Sequence, residues 1–239
     1  MSELLSCRGL MKTFDGGARR VEVLRGVDLR VERGEMVAVI GESGVGKSTL
    51  LHLLGALDAC DGGEYLFDGA DVAAMSPKER AEFRNRRLGF VFQFHHLLPE
   101  LSVLENVALP AMIGGRARLS SEALATPLLT ALGLGSMLHQ RPAELSGGEQ
   151  QRVAVARALV SAGDLVLADE PTGNLDPRTG DRVFDEFRKV QRERGVAAIV
   201  ATHSGKLARR CDRVLELREG VLEPARAPEV AFETAKSPA

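Results

Sequence analysis

The segment Gly41-Glu42-Ser43-Gly44-Val45-Gly46-Lys47-Ser48 limits what this chain can fold into more than any other, because it has the G-x-x-x-x-G-K-[ST] pattern of a phosphate-binding loop. It follows the apolar run Met36–Ile40 and precedes a helical pattern carrying Leu50, Leu51, Leu53, Leu54 and Leu57. Glycines let backbone N–H groups converge on phosphate oxygens with no Cβ in the way. The helix N-terminus adds its partial positive charge. Gly41, Ser43, Gly44, Gly46, Lys47, Ser48 and Thr49 are therefore candidate nucleotide-binding residues. Lys47 is expected to neutralise the terminal phosphates and Ser48 to place its hydroxyl on Mg²⁺. The competing reading is a chance glycine-rich turn, against which the strand before and the helix after both weigh.

A second chemical feature is Leu165-Val166-Leu167-Ala168-Asp169-Glu170, an apolar strand ending in two carboxylates. In an α/β sheet that places both acids at the carboxyl edge, where ligands bind. Asp169 suits the Mg²⁺ shell and Glu170 a base that polarises an attacking water. Alone the pattern is weak, since acids at a strand end more often cap a helix. Beside a phosphate loop it is strong.

Met36–Ile40, Leu165–Ala168, Ala197–Thr202 and Val214–Leu217 read as strands, the first three as continuously apolar as a parallel sheet covered on both faces requires. Helices lie between them. Ser76-Pro77-Lys78-Glu79 and Ser102-Val103-Leu104-Glu105 are capping boxes. The fold class is α/β. From Phe94 to Arg157 no strand run is evident, and helical segments are broken by Gly114-Gly115 and Arg141-Pro142, which predicts a mainly helical insertion. The expected organisation is a core in two parts, 1–93 and 158–223, with the insertion at 94–157 and a frayed tail at 224–239.

Composition excludes several classes. Of 239 residues, 44% are hydrophobic and 27% charged, ordinary for a globular chain with a sizeable core, and the net charge of −2 gives no footprint for nucleic acid. The basic run Arg84, Arg86, Arg87 is expected to be a solvated helix face. Three scattered cysteines, Cys7, Cys60 and Cys211, read as incidental thiols of a reduced compartment. Neither a signal peptide nor a spanning segment is expected, so any membrane role falls to a partner.

Leu145-Ser146-Gly147-Gly148-Glu149-Gln150-Gln151-Arg152 is a capping box that opens a helix with two glycines in its first turn. Glycines are poor helix formers, and here their use would be to expose N–H groups to an anion. The bland reading is simply a well-capped helix. This stretch, however, resembles the signature of the ABC ATPase family, and it lies ahead of the Asp169-Glu170 strand as in that family. The resemblance covers about Leu4 to Leu222 and implies a P-loop NTPase (RecA-type) core, an antiparallel β part near the N-terminus and an inserted α-helical subdomain. By the same resemblance Phe14 stacks on adenine, and Gln93 reaches Mg²⁺ and joins the core to the subdomain. Asn174-Leu175-Asp176 bridges two subunits, and His203 contacts γ-phosphate. Ser204 departs from the family, where many members follow the histidine with an acid. The implied ligands are ATP and Mg²⁺, and two copies would close head-to-tail so that Ser146, Gly147, Gly148 and Asp176 of one complete the site of the other.

Gln93-Phe94-His95-His96-Leu97-Leu98-Pro99-Glu100 falls where the family receives the coupling helix of a membrane subunit, although Phe94, Leu97 and Leu98 could equally pack the subdomain. This string, with Leu167–Asp176, resembles the ATPases of bacterial lipoprotein-releasing transporters. That implies a place on the cytoplasmic face of the inner membrane, multi-span partner subunits, and lipoprotein cargo handled only indirectly. Macrolide-type exporter ATPases and cell-division regulators share the second string and stay open as alternatives.

Overall fold

The computed structural model describes residues 2–15, 20–161 and 163–225. In chain order they form β1 (Glu3–Asp15), β2 (Arg20–Glu32), β3 (Met36–Ile40), α1 (Lys47–Leu54), β4 (Gly62–Phe67), β5 (Ala70–Asp71), α2 (Pro77–Arg87) and β6 (Leu88–Val91). There follow α3 (Val103–Ile113), α4 (Arg118–Ala131), a 3-10 turn (Pro142–Glu144), α5 (Gly147–Ser161), β7 (Leu165–Asp169) and α6 (Pro177–Arg194). The chain continues through β8 (Ala197–Ala201), α7 (Gly205–Ala208), β9 (Arg213–Arg218) and β10 (Val221–Pro224). All but the first two residues of the expected tail at 224–239 lie outside the described residues.

Two sheets result. The larger has the order β10-β9-β3-β8-β7-β6 and is parallel except for β10, which runs antiparallel to β9. The smaller is antiparallel, in the order β2-β1-β4-β5. The two faces of the larger sheet explain its sequence. Val37, Leu165, Leu167, Ala197 and Ile199 point into a core shared with α1 and the antiparallel sheet. Their neighbours Met36, Val166, Ala168, Ala198 and Val200 point into a second core, against α3, α4, α5 and α6. Alternate residues of a strand face opposite sides, so burial on both sides demands an unbroken apolar run.

Both expected capping boxes are present: Glu79 N–H donates to Ser76 Oγ at 3.4 Å, and Glu105 N–H to Ser102 Oγ at 3.2 Å. Three sequence expectations need correction. Leu57 lies beyond the end of α1 and is 48% exposed, because the helix stops at Gly55. Strand β6 was not anticipated, its four residues Leu88–Val91 being too short and too close to a basic helix to stand out. The run Arg84, Arg86, Arg87 is only partly a solvated face. Arg84 Nη1 donates to the Ala56 carbonyl at 2.8 Å, and Arg87 pairs with Asp68 and Asp164. All three cysteines are free, and burial raises the Cys7 and Cys211 thiols, as expected of incidental side chains. Among the described residues no helix is long and apolar enough to cross a membrane.

Candidate active site

Parallel register brings the carboxyl ends of the central strands to one edge. Asp169 pairs with Ala201, Val39 also with Ala201, and Val91 with Ala168. The loops leaving those ends carry the phosphate loop, Glu170, His203 and Gln93. Together they line a cavity of about 410 Å³ bounded by Ser43, Gly44, Gly46, Lys47, Ser48, Thr49, Gln93, Asp169, Glu170 and His203.

The phosphate loop needs its glycines for shape. Gly46 has φ 115°, and a Cβ there would lie 2.7 Å from Val23 Cγ1 of β2. The Lys47 ammonium donates to the carbonyls of Gly41 and Glu42, each at 2.8 Å, so its stem arches back over the loop. Burial holds this ammonium below its ordinary pKa, while Glu170 and Asp169 pull the other way.

On the opposite wall Glu170 is tied by both carboxylate oxygens. Oε1 lies 2.8 Å from His203 Nδ1, and Oε2 accepts from Thr202 Oγ1 at 3.1 Å. Glu170 also has φ 44°, rare for a glutamate. Gln93 donates through Nε2 to Asn174 Oδ1 at 3.1 Å, and Asn174 Nδ2 donates back to the Gln93 carbonyl at 2.9 Å. That exchange occupies the amide nitrogen of Gln93 and leaves its oxygen for a cation. With the Ser48 hydroxyl and the Asp169 carboxylate it forms a set of hard oxygen donors that fits Mg²⁺, which takes one or two carboxylates and completes its shell from phosphate and water. Among the described residues no group of three or more His, Cys, Asp or Glu side chains could hold a metal alone.

The remaining candidates stand apart from this cavity. Gly41 contributes a carbonyl to Lys47 but no surface to the cavity. Phe14, 44% exposed near the end of β1, has the Lys12 ammonium 5.1 Å from its ring centroid. Asp176 caps α6, accepting from Arg178 N and Thr179 N at 3.2 and 3.1 Å, and the Thr179 side chain, followed by these backbone bonds, holds its carboxyl below the usual range. Ser146 and Glu149 cap α5 reciprocally, Ser146 N donating to Glu149 Oε2 at 2.8 Å. Gly148 has a packing reason too, since a Cβ there would lie 2.5 Å from Thr179 Cγ2 of α6.

Two residues in this region escaped the sequence reading. Thr202 closes the apolar run of β8 and is 1% exposed. Its polarity at the end of an apolar strand was the available sign. Arg157 on α5 donates to the carbonyls of His95 and His96, both at 2.6 Å, and so pins the loop that follows Gln93. Within that loop Leu97 packs against the second core, whereas Phe94 and Leu98 are exposed. Nothing in the sequence spacing marks Arg157.

The family model described as ABC transporter matches residues 24–173. The chain is 53% identical over 220 residues to the lipoprotein-releasing system ATP-binding protein LolD 2 of Caulobacter vibrioides, covering 92% of this chain and 96% of that one. It is 51% identical over 222 residues to the protein LolD of Myxococcus xanthus, covering 93% and 99%. Among solved structures it resembles the dimeric bacterial ABC transporter cassette MJ0796, with TM-score 0.84, 35% identity, and coverage of 94% of this chain and 100% of that one. A dimeric post-hydrolysis state of the same cassette, bound to ADP and Pi, gives TM-score 0.83 at 34% identity over the same shares. The chain belongs to the ABC transporter family, as an ATP-binding protein similar to those of lipoprotein-releasing systems.

Proposed function

We propose that the chain is the ATP-hydrolysing subunit of an inner-membrane transporter and powers release of lipoproteins for transfer to the outer membrane. The observation that carries the ATPase reading is the convergence of Lys47, Ser48, Gln93, Asp169, Glu170 and His203 on one cavity at the carboxyl edge of a parallel sheet. The lipoprotein reading is supported by relatives about half identical over nine-tenths of the chain.

In this reading the phosphate loop and Lys47 hold the β- and γ-phosphates through backbone N–H groups and one ammonium. Ser48, Gln93 and Asp169 hold Mg²⁺, which when bound neutralises charge on the phosphate oxygens. Glu170 accepts a proton from the attacking water, and His203 orients on the γ-phosphate. Phe14 stacks on adenine. Ser146, Gly147 and Gly148 serve the nucleotide of a second copy, with Asp176 lining the boundary between the two. The likeness to a dimeric cassette supports a role between copies. ATP is then the adhesive of a two-state switch, and hydrolysis releases it. The exposed Phe94 and Leu98 face a multi-span partner at the cytoplasmic side of the membrane, and cargo is contacted only through that partner.

The test is to recover a tagged Glu170→Gln chain from membranes with ATP and Mg²⁺ and identify what accompanies it. Two different multi-span subunits with trapped lipoproteins support the proposal. A single partner tied to cell-wall enzymes, or an exporter with an outer-membrane duct, overturns the lipoprotein role and leaves the ATPase reading standing.

A further inference from the structure

We propose that Thr202 is a positioning residue for hydrolysis, fixing the Glu170 carboxylate so that Oε1 is the oxygen presented to the attacking water. The inference rests on the reading of Glu170 as the base and goes one residue beyond it.

The direction of the hydrogen bonds carries the argument. Ser204 N–H donates to Thr202 Oγ1 at 3.1 Å, so on that side the hydroxyl is an acceptor. Its single proton is then free to point at Glu170 Oε2, 3.1 Å away. A backbone amide thus sets the hydroxyl and the hydroxyl sets the carboxylate. Thr202 is 1% exposed and its backbone N–H is bound to the Val39 carbonyl at 3.1 Å, so this anchor is rigid.

The other oxygen of Glu170 is held differently. His203 reaches Oε1 at 2.8 Å, but the side chain of His203 is 71% exposed. An exposed imidazole can turn away toward a phosphate at small cost, whereas a buried threonine cannot follow. When His203 leaves, Oε1 is released and Oε2 stays bound. The base then meets its water with one defined oxygen and one defined plane, which is the geometric requirement for efficient proton acceptance. A threonine needed only to finish β8 would be satisfied by Ser204 alone; its second bond goes to the reacting carboxylate.

The experiment measures kcat and KM for ATP hydrolysis by the full chain as wild type, Thr202→Val, Thr202→Ser, Glu170→Gln and the Thr202→Val/Glu170→Gln double variant. Thr202→Val is expected to lower kcat on the order of tenfold, the loss of one hydrogen bond to a charged group, with KM changed less than about twofold. Thr202→Ser should restore most of the rate, and the double variant should be no slower than Glu170→Gln alone. If valine prevents folding, Thr202→Cys keeps the volume with a weak donor and is read in the same way. Wild-type kcat in the valine or cysteine variant, a serine variant as slow as valine, or full additivity in the double variant overturns the proposal. Near-wild-type hydrolysis by Glu170→Gln is the separate result that removes the base assignment itself.

Discussion

Glu170 holds a left-handed backbone conformation, φ 44°, that a glutamate keeps only where its surroundings impose it. Here the strand register imposes it, with Glu170 N–H on the Ala201 carbonyl at 2.9 Å and the carboxylate clamped between Thr202 and His203. If that carboxylate is the base, Glu170→Gln should bind ATP normally and lose ~10²–10⁴-fold in turnover, measured by phosphate release beside equilibrium nucleotide binding. Lys47→Ala should instead weaken binding itself, because its ammonium arches over the loop rather than toward the water side. Candidate residues marked by local pattern were legible in the sequence: Lys47 and Ser48 open α1 straight after a glycine-rich loop, and Asp169 and Glu170 follow the apolar run of β7. Thr202 was not, because its function lies in a bond to a residue 32 positions away, and only the β7–β8 register creates that contact.

Helix starts show the same division between local and distant causes. The box at Ser102 was readable because both partners lie within one turn, and Ser102 N–H indeed donates to Glu105 Oε2 at 2.9 Å. Those bonds to Ser102, with Arg118 adding to them, hold the Glu105 carboxyl below its ordinary range. A carboxyl depressed in the fold contributes stability that is full above its unfolded pKa and is lost as pH falls through the folded one. Glu105→Gln should therefore flatten the acid limb of the stability curve, and Ser102→Ala should cost about 1 kcal/mol in urea melts at neutral pH. Strands buried on both faces were legible as apolar runs, whereas β6 was hidden by its brevity. The antiparallel sheet came from the family resemblance rather than from any alternation in β1, whose burial is interrupted by register shifts.

At the scale of the molecule, charges far apart in sequence tie the layers together. Asp164 precedes β7 and bonds both Arg33, between the two sheets, at 2.7 Å, and Arg87 at the end of α2. Asp68 after β4 closes the ring, at 2.6 Å from Arg33 and 3.0 Å from Arg87. Asp164→Asn should lower stability by about 1–2 kcal/mol at low salt and by less at high salt, as read from thermal melts. No spacing rule joins positions 33, 68, 87 and 164, so this clamp was invisible until the fold was known. The same holds for Arg157, which links α5 to the loop proposed to meet a membrane partner.

The most direct measurement is the solution mass of the full-length Glu170→Gln chain by light scattering, with and without ATP and Mg²⁺, at concentrations where nucleotide binding is saturated. The expected result is a doubling of mass with ATP, none with ADP, and none with ATP when Gly147→Asp, at a position where an added Cβ meets only ordinary contact, places a like charge where Ser146–Gly148 would meet phosphate. A chain that binds ATP fully and stays monomeric would contradict the shared site between two copies.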